Sequence, residues 1–278
     1  MVKSFGERLV AAFETKGQLC VGIDPHSSLL KAWGLPDSPS GLRTFSLSVV
    51  EAATDLVPLV KPQVSFFERF GAKGYEVLAE VTNAAKDAGL LVIADAKRGD
   101  IGTTMDAYLE AWFGQESGLY ADALTVSPYL GLGTISDGFA HWSAEGKGVY
   151  SLVATSNPQG QSVQMATVDH VTLAASQWAQ LSELNSDTNN ELGNFGAVLG
   201  ATLDLSKFGI PNLSNRTPVL APGFGAQGAR LSDAGEIFGE LSKQVAFSVS
   251  RSILVGGADG LHSSISASNS ELKIGLSK

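Results

Sequence analysis

The chain has 278 residues, 44% of them apolar and 17% charged, with a formal net charge of −9. This composition is that of a globular protein and excludes general disorder, while the acidic balance argues against nucleic acid or an anionic membrane as main partner. One cysteine, Cys20, excludes an internal disulfide, fits a reducing compartment, and reads as a small buried hydrophobe within an apolar run.

Ser4-Phe5-Gly6-Glu7 has the capping-box spacing, and Leu9, Val10 and Phe13 follow at helical spacing, so the N-terminus reads as a helix and not as a signal peptide. No apolar run approaches the ~20 residues of a membrane helix, and a cytoplasmic location is expected. The first strand-like run is Leu19 to Ile23, ending in Asp24-Pro25. A Gly/Pro/Ser-rich loop from Gly34 to Gly41 and a helical pattern through Val49, Val50 and Ala53 come next. A second run, Leu56 to Val60, ends in Lys61-Pro62, and helical spacing resumes from Phe66 to Val81. The third run, Leu90 to Ala94, leads into Asp95-Ala96-Lys97-Arg98-Gly99-Asp100-Ile101, with Tyr108 to Phe113 in the helix after it.

Ala123 to Val126 and Val149 to Ala154 are the fourth and fifth runs. A helical segment from Met165 to Leu184 leads to a polar stretch, Asn185 to Asn194, expected to be an exposed loop. Runs six to eight are Phe195 to Gly200, Pro218 to Ala221 and Val245 to Val249; Ala234 to Leu241 is helical, and the Ser-rich tail from Ser263 to Ser270 carries no strong pattern. Eight apolar strands alternating with helices over about 250 residues predict the α/β class and a (β/α)8 TIM barrel, as one domain over residues 1–278.

In such a barrel the active site lies at the C-terminal ends of the strands. Those ends carry Asp24, Lys61, Asp95 with Lys97, Ser127, Thr155-Ser156, Asp204, Pro222 and Arg251. Asp95 and Lys97 share one side of their strand, and Asp100 follows beyond Gly99, so opposite charges meet at the lip of the core. A structural ion-pair cluster and a catalytic site both fit that pattern. Gly223, Gly225 and Gly228 spell G-x-G-x-x-G, but the strand that follows ends in Ser250-Arg251, without the acidic residue a dinucleotide site needs. After a seventh strand, such a loop instead suits phosphate, with Arg251 as its charge partner, and its glycines permit a lid. His26, His141, His170 and His262 have no zinc-like spacing and read as surface or packing residues. Magnesium on Asp95 and Asp100 would compete with Lys97, so no metal is expected.

Together these residues resemble the orotidine 5′-phosphate decarboxylase family in its longer bacterial form. The resemblance rests on Asp95-Ala96-Lys97-Arg98-Gly99-Asp100-Ile101 with Thr104, on Val21-Gly22-Ile23-Asp24-Pro25, on Lys61-Pro62, on Ala221-Pro222-Gly223 with Gln227, and on Arg251. It implies a homodimer with shared active sites that decarboxylates orotidine 5′-monophosphate to UMP and CO2 in pyrimidine synthesis, without metal or cofactor. By resemblance Lys61, Asp95, Lys97 and Asp100 form a charged array. Asp24 meets the ribose, Ser156 (or its neighbour Thr155) the pyrimidine, and Gln227 and Arg251, beside Pro222, the phosphate. Asp100, Ile101 and Thr104 would enter the partner's site. The family usually has Gly where Ser250 precedes the arginine. Asp-x-Lys-x-x-Asp-Ile alone also occurs in related barrels acting on sugar phosphates. A metal-dependent sugar-phosphate decarboxylase or aldolase, or an inactive nucleotide-binding barrel, is therefore the alternative.

Overall fold

The structure is a computed structural model that describes residues 2–186, 188–211 and 215–278. Its eight main strands are β1 (Leu19–Ile23), β2 (Leu59–Pro62), β3 (Leu91–Arg98), β4 (Ala123–Val126), β5 (Gly148–Ala154), β6 (Phe195–Leu199), β7 (Val219–Pro222) and β8 (Val245–Val249). They pair in chain order, all parallel, and β8 returns to β1 with Phe247 opposite Leu19, closing the expected barrel. Burial on both faces explains why each strand read as an apolar run.

Every strand sends one side chain into the same interior cluster: Cys20, Leu59, Ile93, Ala123, Tyr150, Val198, Leu220 and Ala246. Phe5 and Leu9 of the first helix, Phe5–Lys16, close the lower end of that cluster. The helix starts with the expected capping box: Glu7 N donates to Ser4 Oγ and Ser4 N to Glu7 Oε2. Phe5 meets Tyr150 edge-on at 5.9 Å, and Gly148 makes room for it, since a Cβ there would lie 2.3 Å from the Phe5 ring.

Side chains alternate along a strand, so two residues on from this plug the same face returns one level higher. That level reads Gly22, Lys61, Asp95, Thr125, Leu152, Gly200, Pro222 and Ser248, and one further step along three of the strands reaches Asp24, Gln63 and Ser250. On β2, β3, β4 and β8 the apolar interior thus gives way to polar side chains within one alternation, at the strands' C-terminal ends.

Several local expectations are corrected. The second strand begins at Leu59, not Leu56, because Pro58 has no N–H for the ladder; only its carbonyl takes part, accepting from Leu91 N at 3.0 Å. Met165 to Leu184 is not one helix. A short helix (Pro158–Gln164) is followed by a two-stranded ribbon turning at Asp169 and His170, both at positive φ, before Leu173–Leu184 resumes under a Thr172 cap. Between Asn185 and Asn194, where Asp187 lies outside the described residues, the segment is not wholly exposed: Asn185 and Leu192 are buried. The Ser-rich tail lies within a 20-residue helix, Gly257–Leu276, which buries Leu261, Ile265 and Leu272 and turns its serines mostly outward.

Candidate active site

The polar level opens into a cavity of about 400 Å³ at the C-terminal mouth of the barrel. Of the residues singled out from sequence, Asp24, Lys61, Asp95, Pro222, Gln227 and Arg251 line it. They come from strands one, two, three, seven and eight and the loops that follow them, so only barrel closure brings them together.

Asp95 is the electrostatic centre. Lys61 Nζ donates to its Oδ2 at 2.8 Å and Lys97 Nζ to its Oδ1 at 2.6 Å, on opposite oxygens of one carboxylate. Thr125 Oγ1 adds a bond to Oδ1 at 3.0 Å, and the Gln63 amide, oriented to donate, reaches Oδ2 at 2.6 Å. Burial alone would raise the Asp95 pKa, but Lys61 and then Lys97 outweigh it and hold the carboxyl well below the usual range. Burial likewise pulls Lys61 down, and Asp95 followed by Asp24 overcomes it, leaving the buried amine above its ordinary value. The site is therefore a fixed array of full charges. Such a buried pair is costly to desolvate and collapses if one member is removed.

Lys97 owes its position to an irregular strand. Ala94 lies opposite Leu124, but the next matched pair is Arg98 with Val126, so β3 carries two more residues than β4 across the same interval. Within that bulge Lys97 takes φ +50°, unusual for a residue with a side chain, and its N–H donates to Thr125 Oγ1 at 3.0 Å. Lys97 stays half-exposed while Asp95 beneath it is largely covered.

Lys97, Asp100, Ile101, Thr104 and Ser156 do not line this chain's cavity, although Lys97 is joined to it through Asp95. Asp100 Oδ1 accepts from Ile101 N at 2.9 Å, and Ile101 is 59% exposed at the start of helix Gly102–Phe113, with Thr104 exposed in its first turn. Ser156 is exposed, whereas Thr155 Oγ1 is engaged with Asn157 at 2.7 Å and Gln164 at 2.8 Å. Asp204 is a correction: it lies beyond β6, accepts from Ser206 N at 3.2 Å, and faces a separate groove with Arg230 and Asp233. The glycine loop after β7 is tied at its base, where Gly225 N donates to Ala229 O at 2.8 Å and Phe224 is buried against Phe247; Ala226 and Gln227 form its exposed tip.

Sequence reading gave no site role to Gln63, Phe66, Thr125 or Ser248, His26 read as a surface or packing residue, and Ser250 stood out only as the residue before Arg251. All but Thr125 line the cavity, and His26 stacks on Phe66 with ring centres 4.2 Å apart. A signal for four of them was present: Gln63, Thr125, Ser248 and Ser250 follow an inward residue by two positions. Among the described residues, no group of three or more His, Cys, Asp or Glu is placed to hold a metal ion.

A family model described as orotidine 5′-phosphate decarboxylase / HUMPS family matches residues 17–258. A Streptomyces coelicolor protein named orotidine 5′-phosphate decarboxylase is 47% identical over 260 residues, covering 93% of this chain and 92% of its own. A Corynebacterium glutamicum protein of the same name is 46% identical, covering 92% of each chain. A crystal structure from Streptomyces avermitilis matches with a TM-score of 0.94 at 44% identity, covering 100% of this chain and 98% of that one. The structure of Leishmania donovani OMP decarboxylase matches at 0.74 and 27% identity, covering 98% of each. The chain belongs to the orotidine 5′-phosphate decarboxylase family.

Proposed function

We propose that Lys97, held by the cavity-lining Asp95, is the group that stabilises and protonates C6 as this enzyme decarboxylates orotidine 5′-monophosphate to UMP and CO2 in pyrimidine biosynthesis. The observation that carries this assignment is the single carboxylate gripped by two lysines on opposite oxygens. Losing CO2 leaves a carbanion at C6 that the pyrimidine stabilises poorly, so preorganised charge has to supply the stabilisation. Lys97 is the more exposed of the two amines and can swing its N–H from Asp95 toward C6. Lys61, buried beneath, fixes Asp95 and neutralises part of its charge. Asp95 lies close to the departing carboxylate, and repulsion between the two falls as CO2 leaves.

Asp24 meets the ribose, and Gln227, Pro222 and Arg251, which line the same cavity, surround the phosphate. Phosphate binding there supplies remote binding energy for ordering the ring over Lys97. Ser156 reaches the pyrimidine from the end of β5. Asp100, Ile101 and Thr104 complete the site of a second copy of the chain. Supporting this is the exposure of Ile101 together with Tyr129, 81% exposed, and Leu130 on the adjoining strand ends, an apolar rim suited to a self-partner.

Following the pyrimidine absorbance after adding orotidine 5′-monophosphate in the presence of EDTA tests the reading. Turnover that survives the chelator is expected; turnover abolished by EDTA and restored by a divalent cation would favour the metal-dependent alternative.

A further inference from the structure

Lys97 meets the charged array at both of its ends. Its Nζ donates to Asp95 Oδ1 at 2.6 Å, and its backbone N–H, inside the bulge of β3, donates to Thr125 Oγ1 at 3.0 Å. Thr125 Oγ1 in turn donates to the same Asp95 oxygen at 3.0 Å. One hydroxyl thus closes a ring that runs from the Lys97 backbone through Asp95 Oδ1 to the Lys97 amine.

Chemistry fixes the direction of each bond. A backbone N–H only donates and an ionised carboxylate only accepts, so the hydroxyl turns its proton to Asp95 and a lone pair to Lys97. Thr125 is 1% exposed and does not line the cavity, so its hydroxyl serves the array and not a ligand. Packing does not call for that hydroxyl: valine has the same branched shape and suits a strand equally well. A buried hydroxyl has to be held by partners, and here both partners carry the proposed chemistry.

What the ring does follows from the motion required of Lys97. As Nζ leaves Asp95 for C6, Oδ2 keeps Lys61 and Gln63, but Oδ1 keeps only Thr125. A buried carboxylate oxygen stripped of its donors is costly, so Thr125 lowers the cost of releasing the amine. The same hydroxyl still anchors the Lys97 backbone, which at φ +50° depends on its surroundings to hold that conformation. We propose that Thr125 is a positioning residue for the proton transfer: without touching substrate, its hydroxyl holds the Lys97 backbone and Asp95 Oδ1 in place while the amine moves from the carboxylate to C6. This rests on the assignment of Lys97 as proton donor given above.

Steady-state kinetics with orotidine 5′-monophosphate, and UMP affinity, of Thr125→Val and Thr125→Ser test it. Thr125→Val keeps the branched shape and removes the hydroxyl; kcat should fall about tenfold to a hundredfold, with KM and UMP affinity within about threefold of wild type. Thr125→Ser keeps the hydroxyl and should return kcat to within about threefold of wild type. Added to Lys97→Ala, Thr125→Val should change the residual rate by no more than about twofold, because the group it positions is gone. A near-normal kcat in Thr125→Val, a Thr125→Ser enzyme as slow as Thr125→Val, or an equal loss in both backgrounds would overturn the role of Thr125. A loss of UMP affinity in step with kcat would mark a merely structural residue and overturn it too. Near-normal turnover by Lys97→Ala would instead overturn the Lys97 reading, and the role of Thr125 with it.

Discussion

Arg98 reaches back along its own strand to Ala96: its Nη1 donates to the Ala96 carbonyl at 3.0 Å, clasping the bulge that carries Lys97. The other end of the guanidinium is held by Glu68, whose Oε1 also accepts from Tyr75 Oη at 2.6 Å, and Arg98 Nη2 donates to Tyr75 Oη at 3.2 Å. Arg98 therefore fastens the strained backbone of Lys97 to the helices outside the barrel, without facing the cavity. Arg98→Met should lower kcat by about tenfold to a hundredfold with KM changed little, because it loosens the lysine and not the binding residues. Arg98→Lys, which keeps the charge but cannot clasp both sides, should recover little of the loss. Steady-state kinetics of the two variants separate this from a general loss of folding, which would leave KM and kcat per folded molecule unchanged.

In the proposed mechanism Asp95 serves both stability and catalysis, and the two can be separated. Asp95→Asn leaves Lys61, only 6% exposed, beside a neutral amide, and a broken buried pair costs about 3–5 kcal/mol. Adding Lys61→Met removes the stranded charge and should restore much of the unfolding free energy in a urea titration. Activity should stay at least ~10²-fold down in the double variant, since Lys97 is no longer held.

At the opposite end of the barrel Lys147 is nearly enclosed. Its Nζ donates to Ala121 O at 2.9 Å and lies 3.5 Å from the centre of the Tyr120 ring, whose other contact is Lys86 Nζ at 3.4 Å. Burial drives its pKa down from 10.5 to about 7; Asp122 and Glu145 pull it up, while Lys86 and Arg8 push it further down. The folded state thus releases a proton near pH 7 that the unfolded chain keeps until about 10.5. Between those values the unfolded state binds more protons, so this group makes stability rise with pH. Lys147→Met should therefore be most stable relative to wild type at pH 6, with the advantage shrinking steadily towards pH 10. A difference in unfolding free energy that stays flat across that window would contradict the assignment.

The shared site proposed above predicts complementation. Asp24→Ala and Asp100→Ala chains should each be nearly inactive alone, yet their heterodimer assembles one site with both residues intact. Refolding an equal mixture should return roughly a quarter of wild-type activity, the share set by random pairing. No recovery in a verified heterodimer would place Asp100 outside the partner's site.

The barrel was legible because its strands are buried on both faces and their apolar runs are bounded by polar residues, glycine or proline. Its C-terminal helix was not, because Leu261, Ile265 and Leu272 form too sparse a stripe among serines. The charged members of the site were visible as strand-end residues, and Asp204 was drawn in by the same rule although the chain had already left the barrel. Alternation puts Thr125 and Gln63 on the inward face but does not show what they hold. Their importance lies in bonds to Asp95 from neighbouring strands, and pairing across strands is fixed only when the sheet closes. The bulge at Lys97 likewise depends on the register between β3 and β4, which neither strand shows alone.

Whether the Lys97 ammonium carries the chemical step is decided by kcat of Lys97→Ala with orotidine 5′-monophosphate. UMP affinity measured on the same preparation serves as the control for an intact cavity. At least ~10³-fold lower kcat is expected, with UMP binding retained. A folded Lys97→Ala enzyme that turns over at a near-normal rate would contradict it.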